Sequence, residues 1–168
     1  IGTAAARWAG DDRVDQVVIC SPDKDLTQVV QGNKVVCLDR RRDVTLDEDG
    51  VEGKFGVRPE SIPDYLALVG DAADGIPGVP RWGAKPSAQV LTRYRHIEEI
   101  QDNPLVWDVT VRGAKSMAAT LAAHRGVVAL YKHLATLRLD VPIEEDLDEL
   151  EWRGARRQEF QTLCEELG

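Results

Sequence analysis

QVVICSPDKDLTQVVQGNKVVCL, residues 16–38, decides the fold class. Gln16–Ser21 is a short, continuously apolar run, the pattern of a strand covered on both faces. Asp23–Gln31 reads as a short helix that Gly32 and Asn33 stop. Lys34–Leu38 reads as the next strand. A β–α–β order of this length predicts the edge of a parallel α/β sheet. Upstream, residues 3–10 are Ala-rich and helical, with Gly10 as the stop. Downstream, Val44-Thr45 reads as a strand and Asp47–Phe55 as a short helix.

From Ser61 the β pattern fades. Ile62, Tyr65, Leu66 and Val69 recur at helical spacing across Ile62–Val69. Ala84–Tyr94 predicts a helix, Ile97–Gln101 a short one, and about Ala114 to Leu137 a long one with a candidate break at Gly126. Leu150-Glu151-Trp152 reads as an extended piece and Arg156–Leu167 as an amphipathic helix. The expected fold is therefore α/β over residues 1–58, followed by a mostly helical region over residues 59–168.

The chain has 168 residues, enough for one ordinary domain or two small ones sharing an interface, and its hydrophobic fraction of 43% is that of a globular protein. No stretch approaches the length of a membrane span, and no secretory leader is visible. Ile1–Ala9 reads as the middle of a helix with no cap before it, so the natural chain is expected to begin further upstream. Cys20, Cys37 and Cys164 are too few and too scattered for a disulfide framework or a zinc site. Cys20 and Cys37 lie in apolar runs and are expected to be small buried hydrophobes. A reducing, cytoplasmic setting is the matching expectation.

Net charge is −8, which argues against a generic nucleic-acid binder. The charge is segregated, however. Gly75–Ile97 carries Arg81, Lys85, Arg93 and Arg95 and no acid; Val109–Leu139 carries Arg112, Lys115, Arg125, Lys132 and Arg138 and no acid. Asp140–Glu151 then holds seven acids and no base. A basic face can coexist with an acidic total, although each run also fits a solvated helix face.

Two acidic motifs stand out. Asp23 and Asp25 follow directly on the first apolar strand, where ligands bind in open α/β sheets. Carboxylates spaced D-x-D there can present oxygens to one hard divalent cation such as Mg²⁺. The alternative is helix capping by Ser21 or Asp23, with Asp25 favoured by the helix dipole. The second motif, Gly70-Asp71-Ala72-Ala73-Asp74-Gly75, follows an apolar helix, where acids oppose the dipole. Two carboxylates at i and i+3 of a helical turn crowd each other unless a cation sits between them. A polar turn with exposed acids is the alternative. Paired metals suit phosphodiester hydrolysis but need more ligands than four carboxylates supply.

GIPGVPRWGAKPSAQVL, residues 75–91, joins two helices through a Gly-rich turn. Its glycines permit close backbone approach, the following helix start offers free N–H groups to a phosphate, and Arg81 and Lys85 flank that point. Contacts of that kind give affinity without sequence reading. A purely structural connector is the other reading.

SPDKDLTQVV (residues 21–30) together with GVRPESIPDYLALVGDAADGIPGVPRWGAKPSAQVL (residues 56–91) resembles the 5′-nuclease family. That family includes the 5′→3′ exonuclease domain of bacterial DNA polymerase I, stand-alone bacterial 5′-3′ exonucleases and flap endonucleases. The resemblance is strongest over residues 16–95, and HLATLRLDVPIEEDLDELEWRG also looks like the bacterial branch. It implies that residues 1–58 are the C-terminal portion of a PIN-like α/β nuclease core. Residues 59–168 would be the exonuclease C-terminal region, with a helix–three-turn–helix at about 62–95.

Asp23 and Asp25 match the family's D-K-D-L motif, and Asp71 and Asp74 its G-D-x-x-D motif. All four would be ligands of Mg²⁺ or Mn²⁺, with two ions in the complete enzyme. Leu68, Val69, Pro77, Val79 and Trp82 match positions whose carbonyls hold a potassium ion in relatives. Arg81, Trp82, Gly83, Ala84, Lys85 and Pro86 would contact DNA. The implied activity is hydrolysis of DNA near 5′ ends, flaps or nicks, by a chain expected to be monomeric.

Three features depart from the family pattern. Arg81 stands where the turn's first Gly is usual, and Pro86 where Ser or Thr is usual. The family's earlier acidic motifs and its basic clamp over the single strand are expected upstream of Ile1. A non-catalytic DNA-structure-binding module is therefore the principal alternative. A PIN-type ribonuclease is a weaker one, since small PIN domains lack the helix–three-turn–helix segment.

Overall fold

The computed structural model describes residues 1–168. In chain order the elements are α1 (Gly2–Ala9), β1 (Val17–Ile19), a 3₁₀ helix (Lys24–Val29), β2 (Val35–Asp39), β3 (Val44–Leu46), α2 (Glu48–Phe55), α3 (Ile62–Val69), α4 (Ala84–Tyr94), α5 (Ala114–Ala135) and α6 (Arg157–Leu167), with further single 3₁₀ turns at Pro59–Ser61, Pro104–Val106 and Ile97–Glu99, the last standing where a short helix over Ile97–Gln101 is expected. β1 pairs parallel with β2, Val17 opposite Val35, and β3 closes antiparallel on β2, Cys37 opposite Leu46. The fold is mixed α/β: a three-stranded sheet in the order β1-β2-β3, then helices.

The β–α–β expectation holds with three corrections. The crossover is a 3₁₀ helix. Asp23 caps it through the Asp25 amide (3.1 Å), and the Thr27 hydroxyl donates to the Lys24 carbonyl (2.5 Å). Such local side-chain bonds favour the tighter turn over a full α-helix. β1 is also not covered on both faces within this chain: Val18 is 44% exposed, whereas Ile19 is buried. Cys20, just past its end, is exposed, whereas Cys37 on the central strand is buried as expected.

In the helical half, α3 and α4 have the bounds the sequence predicts. Gly126 does not break α5, which runs unbroken for 22 residues. A lone helical Gly costs only about 1 kcal/mol relative to Ala, and the packing of α5 against α3 outweighs it. Leu150-Glu151-Trp152 is not a strand: Leu150 closes a turn onto the Leu147 carbonyl (3.2 Å), and no partner strand is beside it. Every residue of α6 is exposed.

One core of 28 buried residues runs from Ala5 to Ala135 and joins both halves. α3 lies in its middle, with Ile62, Leu66, Ala67 and Leu68 all at 2% exposure or less. Each large side chain of this kind contributes roughly 1.5–3 kcal/mol by leaving water. Gln28 clamps the 3₁₀ helix to the end of α5, donating to the Ala135 carbonyl (3.0 Å) and accepting from the Leu137 amide (2.9 Å). Buried Asp64 ties α3 to α5, accepting from Lys132 Nζ (2.8 Å) and the Ile97 amide (2.9 Å) and meeting His96 Nδ1 at 3.0 Å.

Candidate metal centre and nucleic-acid interface

α3 ends abruptly at Gly70, whose φ of +94° turns the chain out of the helix. Asp71 and Ile76 then exchange backbone hydrogen bonds (2.7 and 2.8 Å), closing the turn Asp71–Ile76. The two acids of this motif are therefore held by a closed turn rather than by a helical one. Glycine is required at two points here. A Cβ on Gly70 would lie 2.9 Å from the Ile76 and Pro77 backbone, and one on Gly78 would lie 2.6 Å from Val69. Both also sit at positive φ, which L side chains rarely adopt.

This turn faces the 3₁₀ helix. Carboxylate oxygens of Asp25, Asp71 and Asp74 come within 4.8 Å of one another. Asp71 is buried, Asp25 half-buried and Asp74 exposed. Asp23 is not part of this trio: it is exposed, and one of its oxygens caps the 3₁₀ helix, so the capping alternative describes its geometry here.

The electrostatics are opposed within the trio. Burial, first, and then the hydrogen bond with Asp74 and the charges of Asp23, Asp74 and Asp71 push the Asp25 carboxyl up to about 7. Burial also acts to raise Asp71, but the Lys24 ammonium and the amides of Ala73 and Asp74 outweigh it and hold that carboxyl below its usual range. Lys24 forms an ion pair with Asp71, and its own pKa is raised: the bond to Asp71 and the surrounding carboxylates overcome its burial. Lys24 is a residue the sequence reading passed over. Its only signal was its place between the two acids of D-K-D.

Does this set suit a divalent ion? Oδ1 of Asp25 is buried with no hydrogen-bond partner. An unsatisfied buried carboxylate oxygen beside two further carboxylates is the donor set a hard cation takes, so the residues fit.

The Gly/Pro turn follows the acidic turn directly and packs against the same C-terminal end of α3. Leu68 and Val79 are joined by a backbone hydrogen bond (2.8 Å), and the Val79 carbonyl accepts from the Trp82 amide (3.1 Å). Two of the five carbonyls expected around potassium are thus already engaged, each with one lone pair left. Trp82 is 2% exposed, and its indole donates to the Met117 carbonyl (3.0 Å), so its side chain braces the turn against α5 and does not face solvent. Arg81, Gly83, Ala84 and Lys85 are exposed and Pro86 is half-buried at the start of α4. Arg81 itself sits at φ +78°. The structure thus gathers the expected residues into two groups, Asp25/Asp71/Asp74 and Arg81–Pro86, and leaves Asp23 and the Trp82 side chain outside both.

The family model described as 5′-3′ exonuclease, C-terminal SAM fold, matches residues 57–158, and the chain belongs to that family. DNA polymerase I of Pseudomonas aeruginosa is 37% identical over 99% of this chain and 18% of its own length. The 5′-3′ exonuclease of Buchnera aphidicola from Acyrthosiphon pisum is 31% identical over 81% of this chain and 48% of its own. The chain therefore spans about half or less of the relatives it matches. Among solved structures, T5 D15 protein co-crystallised with metal ions superposes with a TM-score of 0.64 at 20% identity, over 80% of this chain and 48% of that one. A T5 D15 flap endonuclease complex with DNA and metal ions gives 0.59 at 17% identity, over 79% of this chain and 48% of that one. Those likenesses establish the 5′-exonuclease fold.

Proposed function

We propose that this chain is the part of a divalent-metal-dependent 5′→3′ exonuclease and structure-specific flap endonuclease that supplies one share of the metal centre and the grip on duplex DNA. The observation that carries the reading is the convergence of Asp25, Asp71 and Asp74 within 4.8 Å around an unpartnered buried oxygen of Asp25. Mg²⁺ or Mn²⁺ would be held by these three, with Asp23 able to join through the oxygen that does not cap the 3₁₀ helix. The bound ion supplies an activated water and neutralises charge on the scissile phosphate. The chain's own residues do the rest. Asp71 is fixed by the Ala73 amide (3.1 Å), so its orientation is set before an ion arrives. Lys24 balances the cluster's charge through Asp71.

Residues 62–95 would form the helix–three-turn–helix, with phosphate contacts from Arg81, Lys85 and the backbone of Gly83, Ala84 and Pro86. Potassium at the carbonyls of Leu68, Val69, Pro77, Val79 and Trp82 belongs to the same reading. Functionally the chain divides at 58/59, close to where the family match begins, although both sides share one core. Its substrates would be DNA 5′ ends, flaps and nicks.

Asp74→Asn in the intact nuclease is the test. It should abolish Mg²⁺-dependent cleavage of a 5′ flap while leaving DNA affinity within a few-fold. Cleavage at the wild-type rate would refute the metal assignment. The three clustered carboxylates are too few for two ions, which favours a second reading for the isolated 168 residues: a DNA-binding module without catalysis. Robust Mg²⁺-dependent cleavage by this chain alone would overturn that second reading.

A further inference from the structure

The start of α4 is one wall of a cleft of about 600 Å³. Arg81, Lys85 and Gln89 line that wall. The facing wall comes from the segment leading into α5 and its first turn, and carries Thr110, Arg112 and Ser116; Met117 is the single hydrophobic contributor. The three cations here lack the ion pairs that four cations on adjoining parts of the fold form. Arg93, Arg95, Arg125 and Lys132 are all paired, with Asp108, Glu60, Asp102 and Asp64. Arg81, Lys85 and Arg112 have no carboxylate partner among the ion pairs of the chain, although its total charge is −8. Converging, unneutralised cations repel one another and favour a bound anion.

We infer that the Arg112 wall is a second phosphate-binding surface, holding the backbone of a nucleic acid duplex against Arg81 and Lys85. The lining decides the chemistry. Guanidinium, ammonium, amide and hydroxyl donors match phosphate oxygens, and no aromatic ring lines the cleft on which a base would stack. The two walls are also fixed relative to each other. Trp82 bonds the Met117 carbonyl (3.0 Å) and packs on Trp107 at 6.2 Å between ring centroids. The cleft is therefore in place before a ligand arrives. Sequence position hid this surface, because Arg112 lies outside the Gly/Pro turn and joins it only through the fold.

The inference rests on the duplex-gripping reading, and the experiment separates the two. Binding of the 168-residue chain to a labelled blunt duplex is followed by anisotropy across a salt series. Arg112→Ala should weaken binding several-fold at low salt and flatten the log–log salt slope by about 0.9, the loss of one phosphate contact. Arg112→Lys should retain the slope, and Lys115→Ala, an exposed cation of α5 outside the cleft, should match the wild type. An Arg112→Ala chain that binds like wild type, while Lys85→Ala binds more weakly, overturns the inference and leaves the gripping reading standing. Absence of salt-dependent duplex binding by the wild type overturns both. Inorganic phosphate should compete no better than chloride of equal ionic strength; competition well below that ionic strength would identify a free-anion site and overturn the nucleic-acid assignment.

Discussion

Arg81 occupies a backbone conformation, φ +78°, that costs an L residue roughly 1–2 kcal/mol. Family resemblance marks this position as one where Gly is usual, so the strain was legible as a departure but its consequence was not. The chain accepts the strained turn and gains a cation at the cleft. Arg81→Gly should therefore stabilise the fold by roughly 0.5–1 kcal/mol, the strain relieved less the added freedom of the unfolded Gly, while weakening duplex binding. Denaturant unfolding and anisotropy on the same variant check both halves; loss of stability would contradict the strain argument. Asp25 is the second informative residue. Folding raises its carboxyl from 3.8 to about 7, so its contribution to stability is fully present below about pH 4 and is lost as pH rises through 7. Asp71 works in the opposite sense, stabilising above its ordinary value of 3.8 and ceasing to do so as pH falls. Asp25→Asn should flatten the decline in melting temperature between pH 4 and 7 in chelator, and an unchanged pH profile would count against the crowded cluster. The spacing of acids marked Asp71 and Asp74 as a pair. It could not show that Asp25 joins them while Asp23 turns away to cap, since that choice depends on a 3₁₀ rather than an α-helical turn.

At the scale of elements, the sequence was most legible where punctuation is strong. Ile62-Pro63 opens α3, Gly70 ends it, and Gly83 precedes α4, so those bounds were readable residue by residue. It was least legible where an element's environment is set from elsewhere. Leu150–Trp152 had β-like composition with no strand beside it to pair with. The Asp64 knot was also hidden, because its partners lie on other elements. Asp64 is fully buried and holds Lys132, His96 and the Ile97 amide together, fastening α3 to α5. Asp64→Ala should cost about 1–3 kcal/mol, since it leaves the buried Ile97 amide without an acceptor while Lys132 keeps Glu98. Urea unfolding measures this, and a loss below 1 kcal/mol would show that the knot contributes little.

On the scale of the whole molecule, one core carries two groups of candidate functional side chains about the chain that leaves the C-terminal end of α3. The carboxylates lie where the α/β part meets the helical part, and three unpaired cations, Arg81, Lys85 and Arg112, line the cleft between α4 and α5. This arrangement resolves the apparent conflict between a net charge of −8 and the proposed nucleic-acid partner: the acids lie elsewhere, and no carboxylate lines the cleft that holds Arg81, Lys85 and Arg112. Composition gave the segregation of charge, but only the fold shows which cations remain unpaired. The central claim is that Asp25, Asp71 and Asp74 form a divalent-cation site, and thermal unfolding with and without Mn²⁺ tests it most directly. At a free concentration about a hundredfold above Kd, Mn²⁺ should stabilise the chain by about 2.7 kcal/mol, a rise in melting temperature of about 5–10 °C for a chain of this size. Asp74→Asn should remove most of that rise. Equal melting temperatures in Mn²⁺ and in chelator, or an equal rise in wild type and Asp74→Asn, would contradict the account.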